Sequence, residues 1–410
     1  MLCRQNFHYG WIIVFSGILA IVAVLGLGRF SLGMILPSMG SDLNLSYSRM
    51  GFIGTGNFIG YLLAVVVSSR MVKLLGYRTV ISGGIFLVGT SMIVVGGANG
   101  FWLALTAFFC TGIGSGLANV PVMVLISHWF GSSMRGRATG LVVSGSGLGI
   151  MLTGLLVPAI NNWAADGQGW RTNWLILGSL VLAIGLVCAL LIRNRPQDLG
   201  LTNIETSPKR KEDNQPDLLS KQAKTTGKRV FLHLGSIYFF FGFTYVIYVT
   251  FVITTLINDY SFSEAVAGRF WFWFGLLGIF SGPLFGSLSD HLGRGRTLAL
   301  VFTLQAVSHL LLALNPLPGS VYFSIALFAL CAWSVPSIVA AANSDYLGPL
   351  KAASGFAAIT LLFGIGQISG PALAGILAEK SGSFSQAYLL ASVLTVAAAM
   401  LSLFLPKSEQ

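Results

Sequence analysis

One arginine lies deep inside an apolar stretch of this chain. Arg29 belongs to the segment GLGRFSLGMILP, residues 26–37, and no acidic residue falls in the middle of any long apolar stretch. An ionisable side chain in hydrocarbon costs about 2.5–3.5 kcal/mol on insertion scales, so it needs a partner or a function. A guanidinium can bind a carboxylate through two parallel hydrogen bonds. The sequence therefore indicates an anion-binding site at Arg29; the alternative is a side chain that reaches the membrane surface or bonds backbone carbonyls.

Polar side chains in other apolar stretches could complete such a site. Asn119 lies in the fourth stretch, and Tyr245 follows Tyr238 by seven residues in the seventh, which places both tyrosines on one helix face. Each could instead form an interhelical hydrogen bond, worth about 0.6 kcal/mol on average. Arg269 is a second cation, but it lies near Glu264 at a helix end, where an ion pair is the alternative. The predicted substrate-binding residues are Arg29, Asn119, Tyr245, Tyr248, Ser334 and Arg269.

Residues suited to covalent or metal chemistry are few and scattered. The four cysteines and five histidines show no disulfide or metal-ligand spacing. A phosphate-binding glycine loop and a nucleophile elbow are also missing from the sequence. We therefore expect no catalytic residue, no metal ion, no cofactor and no enzymatic activity. His309, deep in the ninth stretch, and Glu264 are the candidate proton carriers, and the absence of ion coupling is the alternative.

The composition places these residues in a membrane. Of the 410 residues, 54% are hydrophobic and 9% are charged, whereas soluble domains carry about 25% charged residues. Twelve apolar stretches reach the roughly 20 residues that a helix needs to span a bilayer. The net charge of +11 resides mainly in the short segments between these stretches. Membrane topology explains that pattern, so we do not expect nucleic-acid binding.

The basic residues also predict the orientation of the chain. Placing the N-terminus inside puts most lysines and arginines in inside loops, as the positive-inside rule requires. We therefore predict an N-terminal six-helix half at 1–193, a cytoplasmic linker at 194–231 and a C-terminal six-helix half at 232–410, with both termini in the cytoplasm. The halves repeat weakly, since a shift of 217 residues places Gly76 on Gly293.

A charged segment separates the eighth and ninth stretches. It reads GSLSDHLGRGR, residues 286–296. A glycine at its start would let a helix end pack closely on its neighbour, its aspartate can pair with an arginine or cap a helix, and the second glycine permits a tight turn. The residues that carry this pattern are Gly286, Asp290, Gly293, Arg294 and Arg296.

The segment is similar to the loop motif G-x-L-x-D-x-x-G-R-x-R of the major facilitator superfamily, a family of secondary transporters. With the fragments SHWFGSSMRGRATGL (127–141) and RNRPQDLGL (193–201), the whole chain resembles bacterial members near the monocarboxylate and oxalate–formate branch. The resemblance implies an all-α membrane protein with twelve transmembrane helices in two pseudo-symmetric six-helix halves. It also implies a gating role for the motif residues Gly286, Asp290, Gly293, Arg294 and Arg296. The chain departs from the family pattern in two places. Family members carry the same motif in the first half, between helices 2 and 3, where Ser69 and Lys73 replace its glycine and its aspartate here. In the eighth stretch, Gly282 replaces an arginine that is typical of that branch.

Together these features predict a secondary transporter that moves a small organic anion by alternating access, and the resemblance favours a monocarboxylate. Its expected partners are this anion, the lipid bilayer and, if transport is coupled, protons. We expect a monomeric multi-pass protein of the inner (plasma) membrane. Two alternatives stay open: an efflux transporter for neutral or amphipathic compounds such as sugars or drugs, and a sensor or assembly partner that transports nothing.

Overall fold

The protein is built from helices. The computed structural model describes residues 8–164, 167–204, 223–315, 317 and 319–405, with the backbone alone for Ser132, 223–230 and 348–354. Within the predicted linker, 194–231, residues 205–222 lie outside the described residues.

The helices follow one another with short connections. The first part of the chain forms α1 (Gly10–Ile21), a π-helical segment (Val22–Phe30), α2 (Ser31–Asp42), α3 (Tyr47–Gly96), α4 (Phe101–Trp129), α5 (Ser132–Trp163), α6 (Gly169–Leu191) and a 3-10 turn (Pro196–Leu199). The second part forms α7 (Ala223–Thr254), a second π-helical segment (Thr255–Asp259), α8 (Glu264–Leu292), α9 (Arg294–Leu314), α10 (Ser320–Ala332), α11 (Ser334–Ser381) and α12 (Ser385–Leu403).

The lengths of these helices match the thickness of a bilayer. Among the described residues, 11 helical segments are long and apolar enough to cross it. Helix α3 has 50 residues, about 75 Å at 1.5 Å per residue, which is more than twice the ~30 Å of a hydrocarbon core. Gly76 divides it, since its φ of 79° and ψ of 163° are not helical and suit a residue without a Cβ. Helix α3 therefore supplies two of the predicted spans, and all twelve are accounted for.

By their contacts the residues form two compact units. Unit 1 comprises Met1–Ile35 and Ile59–Glu212, and unit 2 comprises Leu36–Phe58 and Asp213–Gln410. Residues 36–58 thus join unit 2, where the Thr55 hydroxyl donates to the Ile368 carbonyl at 2.8 Å. The division of the chain into 1–193, a linker at 194–231 and 232–410 stays a prediction.

In unit 1, the π-helical segment packs against α4, α5 and α6. Its contact with α5 runs through glycine: a Cβ on Gly26 or on Gly149 would overlap the backbone of the other residue. Small residues allow helix backbones to approach in this way in membrane proteins. On the α4 side, the Ser115 hydroxyl donates to the Val24 carbonyl at 2.9 Å. These contacts fix the backbone that carries Arg29.

Candidate functional site

Arg29 lies near the end of the π-helical segment in unit 1. In a π-helix the backbone hydrogen bonds join residues five apart, an arrangement that is rare and occurs frequently at functional sites. The Arg29 side chain is buried, with 8% of its surface exposed. The guanidinium is therefore held inside the unit and does not extend to the molecular surface.

The guanidinium contacts a tyrosine that is bound to an asparagine. The Arg29 Cζ atom lies 4.2 Å from the centroid of the Tyr61 ring, within the range of a cation–π interaction. The Asn119 Nδ2 group donates a hydrogen bond of 2.9 Å to the Tyr61 hydroxyl. Arg29, Tyr61 and Asn119, which we call the arginine cluster, come from the π-helical segment, the first half of α3 and α4.

Close packing of α3 and α4 explains how this cluster forms. A Cβ on Gly116 would lie only 2.7 Å from the Tyr61 carbonyl oxygen and 3.4 Å from its ring. Asn119 lies three residues after Gly116 and thus on the same side of α4. The glycine brings the two backbones together, and Asn119 reaches the end of the Tyr61 side chain. The structure therefore unites two predicted site residues, Arg29 and Asn119, through a tyrosine that was not among them.

Unit 2 holds a group of aromatic side chains around Tyr245, which we call the aromatic wall; its members are Tyr238, Tyr245, Trp333 and Phe363. Gln367 Nε2 donates a hydrogen bond of 2.7 Å to the Tyr245 hydroxyl. The Tyr245 ring stacks with Phe363, with centroids 5.9 Å apart, and meets Trp333 edge-on at 6.1 Å. Tyr238 stacks on the same Phe363 ring at 4.4 Å. The two tyrosines therefore share one helix face, as their spacing predicts.

Tyr248 has different neighbours within unit 2. Its hydroxyl lies 2.8 Å from the Ser324 hydroxyl, and its ring stacks on Phe328 at 3.9 Å. His309 meets the Tyr248 ring edge-on at 5.5 Å, and its Nδ1 atom lies 2.7 Å from the Gln305 carbonyl oxygen. Tyr248 and the candidate proton carrier His309 thus belong to one buried polar group of α7, α9 and α10.

The last two predicted binding residues differ in their burial. Ser334 is buried and donates to the Cys331 carbonyl at 2.7 Å; it follows Trp333, which contacts Tyr245. Arg269 is exposed, in the second turn of α8. Among the described residues, no hydrogen bond, ion pair or ring contact joins Arg269 to the aromatic wall.

The charged motif of residues 286–296 surrounds a single turn between α8 and α9. Gly293 has φ 90° and ψ 154°, so it makes the sharp turn that the sequence predicts. Arg294 binds Asp290 at 2.5 Å and Asp345 of α11 at 2.8 Å. Pairing with an arginine is thus the one of the two possible roles of this aspartate that the structure contains. The expected close packing at Gly286 is not observed, because a Cβ there would meet no described atom within 4 Å. Arg296 is exposed, and the gating role of the motif stays a prediction.

Comparison with known sequences identifies the family. The family model described as "Uncharacterised MFS-type transporter YbfB" matches residues 21–403. The chain belongs to this family. It is therefore a member of the major facilitator superfamily, whose members are multi-pass membrane transporters and not enzymes, as the sequence predicts.

Relatives of this MFS-type transporter carry different solutes according to their names. A probable hexose phosphate transport protein of Chlamydia trachomatis is 25% identical over 285 residues, 65% of this chain and 62% of the chlamydial protein. The hexuronate transporter of Bacillus subtilis is 25% identical over 401 residues, 91% of this chain and 89% of the relative. Human monocarboxylate transporter 2 is 23% identical over 417 residues, 96% of this chain and 84% of the relative. The match spans less than two thirds of the chlamydial protein. The chain is thus similar to transporters of small organic solutes.

The fold has a counterpart among solved structures. The crystal structure of a bacterial homologue of the human lysosomal transporter Spinster superposes with a TM-score of 0.71. The superposition covers 96% of this chain and 94% of that chain, at 15% sequence identity. This likeness concerns the fold, and it confirms the predicted all-α major facilitator architecture.

Proposed function

We propose that this transporter moves a small organic anion, a monocarboxylate in the simplest case, across the bacterial inner (plasma) membrane by alternating access. Both termini lie in the cytoplasm in this proposal, and the protein acts as a monomer. The observation that carries the proposal is the buried guanidinium of Arg29 in a membrane-spanning segment. A cation within a membrane-spanning segment costs free energy, so its presence indicates a function. Binding the carboxylate of a substrate is such a function.

The stacking of Arg29 on Tyr61 supports this proposal. A guanidinium over an aromatic ring directs the edges of its planar fork to the side of the ring, and the ring compensates part of its charge. The π-helical backbone and the Gly26–Gly149 contact hold the side chain in place before a ligand arrives. Such preorganisation reduces the cost of binding.

The names of the relatives support an anionic substrate. Hexose phosphates, hexuronates and monocarboxylates differ in size and in their other groups, but each carries a negative charge at neutral pH. A cationic group in the substrate site is the common requirement for binding these compounds. We propose that Arg29 fulfils this requirement here.

The motif around Gly293 has a proposed role in the transport cycle. Arg294 ties the end of α8 to α11 through Asp290 and Asp345, so this end of unit 2 can move as one rigid piece. Rigid-body rocking is the usual mode of alternating access in such transporters. The participation of Tyr245, Tyr248, Ser334 and Arg269 in substrate binding, and of His309 or Glu264 in proton coupling, remains a prediction.

The decisive experiment compares the wild type with Arg29→Ala and Arg29→Lys. The apparent melting temperature of the purified protein is measured across a panel of carboxylates and of neutral or amphipathic compounds, because a ligand that binds the folded state raises it. Uptake into proteoliposomes is then measured for each stabilising compound. We expect carboxylates to stabilise the wild type, Arg29→Ala to abolish both effects, and Arg29→Lys to retain weak binding, since lysine keeps the charge but loses the fork. Stabilisation by neutral compounds alone, unchanged in Arg29→Ala, would refute the proposal in favour of efflux.

A further inference from the structure

The hydrogen bonds of the arginine cluster leave two polar groups available for a ligand. The Tyr61 oxygen accepts from Asn119 Nδ2, so its own proton can still be donated. The same bond directs the Asn119 amide so that its Oδ1 atom remains an acceptor. In the part of the chain that the structure describes, no acceptor takes the Tyr61 proton and no donor reaches Asn119 Oδ1. Both side chains are half-buried.

These two groups lie along the tyrosine that supports the charge. The guanidinium of Arg29 covers the ring face at 4.2 Å, the hydroxyl lies at the end of the ring, and the asparagine amide is 2.9 Å beyond it. A cation, an O–H donor and a carbonyl acceptor therefore follow one another within unit 1. A plain carboxylate uses the cation and the O–H donor, but it offers nothing to the acceptor. A ligand that uses all three must carry a hydrogen-bond donor next to its carboxylate.

We infer that the Tyr61–Asn119 pair recognises a hydroxyl group beside the substrate carboxylate, so that the preferred substrates are 2-hydroxy acids. This inference rests on the proposed function, because it assigns the carboxylate to Arg29. The substrate hydroxyl donates to Asn119 Oδ1 and accepts from the Tyr61 hydroxyl. A 2-oxo acid can accept from Tyr61 but cannot donate to Asn119. An acid without the substituent can accept from Tyr61 only through its carboxylate, and it also cannot donate to Asn119.

The size of the preference follows from the burial of the pair. Sites that enclose a substrate hydroxyl completely reject analogues without it by large factors, because buried polar groups lose their partners. Tyr61 and Asn119 are only half-buried, so water can partly replace the missing hydroxyl. One net hydrogen bond then corresponds to about a tenfold difference in dissociation constant.

The test uses three pairs of acids that differ by the 2-hydroxyl alone: glycolate and acetate, lactate and propionate, mandelate and phenylacetate. Pyruvate is the probe that can only accept, and inorganic phosphate is the anion without a hydroxyl-bearing carbon. Dissociation constants are derived from the ligand dependence of the melting temperature for the wild type, Asn119→Leu and Tyr61→Phe. Tyr61→Phe keeps the ring beneath Arg29 and removes only the hydroxyl. Tyr322→Phe, at a tyrosine that is 56% exposed on α10, is the matched control.

We expect the wild type and Tyr322→Phe to bind the hydroxy acid of at least one pair about tenfold more tightly than its partner, with pyruvate close to propionate. The ratio should approach one in Asn119→Leu and in Tyr61→Phe. If Asn119→Leu does not fold, the ratios of dissociation constants for Tyr61→Phe and for the wild type still test the inference.

Two outcomes would overturn the inference in different ways. Equal wild-type affinity within every pair, or a preference for phosphate, with binding still lost in Arg29→Ala, would overturn the hydroxyl preference and leave the anion-binding role of Arg29 intact. Binding of no carboxylate in an Arg29-dependent manner would overturn the inference together with the proposed function.

Discussion

The contact between Gly26 and Gly149 gives the sharpest test of how Arg29 is positioned. A methyl group on Gly149 would overlap the backbone of Gly26. Because the overlapping atoms belong to the backbone, no side chain can rotate to relieve the overlap. Gly145, one turn earlier on α5, has a similar contact, since its Cβ would lie 2.6 Å from the Ile18 carbonyl oxygen. The substitution Gly149→Ala must therefore push the π-helical segment away from α5.

The expected change in the free energy of unfolding for Gly149→Ala comes from two opposing effects. Alanine stabilises a helix by about 0.5–1 kcal/mol relative to glycine, whereas forcing additional atoms into a packed interface costs about 1–3 kcal/mol. Gly140→Ala is the matched control because it lies on the same helix and its Cβ would meet no described atom within 4 Å. The difference between the two variants, about 1–3 kcal/mol in favour of Gly140→Ala, measures the overlap alone.

The assay measures thermal unfolding of both variants in detergent, with carboxylate binding measured in parallel. We expect Gly149→Ala to unfold at a lower temperature than Gly140→Ala and to bind carboxylates less tightly, because the displaced segment carries Arg29. Equal melting temperatures for the two variants would show that the helices separate without cost. Such a result would refute the argument that this glycine contact fixes the site.

Two further predictions concern the turn between α8 and α9. Gly293→Ala should lower the melting temperature relative to Gly286→Ala. A φ of 90° strains a residue with a Cβ by about 1–3 kcal/mol, whereas the space beside Gly286 is open. Equal stability of the two variants would contradict the turn geometry. Asp345→Asn should cost about 1 kcal/mol or less, because the Arg294 and Asp345 side chains are partly exposed. This loss should shrink at high salt, and a loss that is independent of salt would show that the contribution is not electrostatic.

The overall architecture could be predicted because its signals are strong and local. Long apolar stretches give the spans. The charge pattern of the connecting segments predicts the orientation, which stays a prediction. The weak repeat between the halves is confirmed at one position by the backbone: Gly76 has φ 79° and ψ 163°, and Gly293 has φ 90° and ψ 154°. The alignment thus identified two turns of the same conformation although their flanking residues differ.

The candidate site was predictable only in part. Arg29 was found because a charge in an apolar segment is conspicuous, and Asn119 because it is a polar residue within the fourth apolar stretch. Tyr61 was not among the predicted residues, since nothing in the local sequence shows that Gly116 allows α4 to pack closely on α3. The π-helical segment was not predicted either, because a helix that is apolar on every side has no periodic pattern from which its hydrogen-bond register can be read.

The π-helical segment has a consequence for the evolutionary history of this site. A π turn accommodates an additional residue within the hydrogen-bonded ladder of an α-helix. Deletion of one residue between Val22 and Gly28 would convert a wide π turn into a regular α turn of about 3.6 residues and would change the backbone position from which the Arg29 side chain extends. The arginine would then leave the Tyr61 ring although the sequence still read Gly-Arg-Phe. Among descendants of a common ancestor, the length of this segment would therefore distinguish proteins that retain the arginine cluster from proteins that retain only the Gly-Arg-Phe sequence.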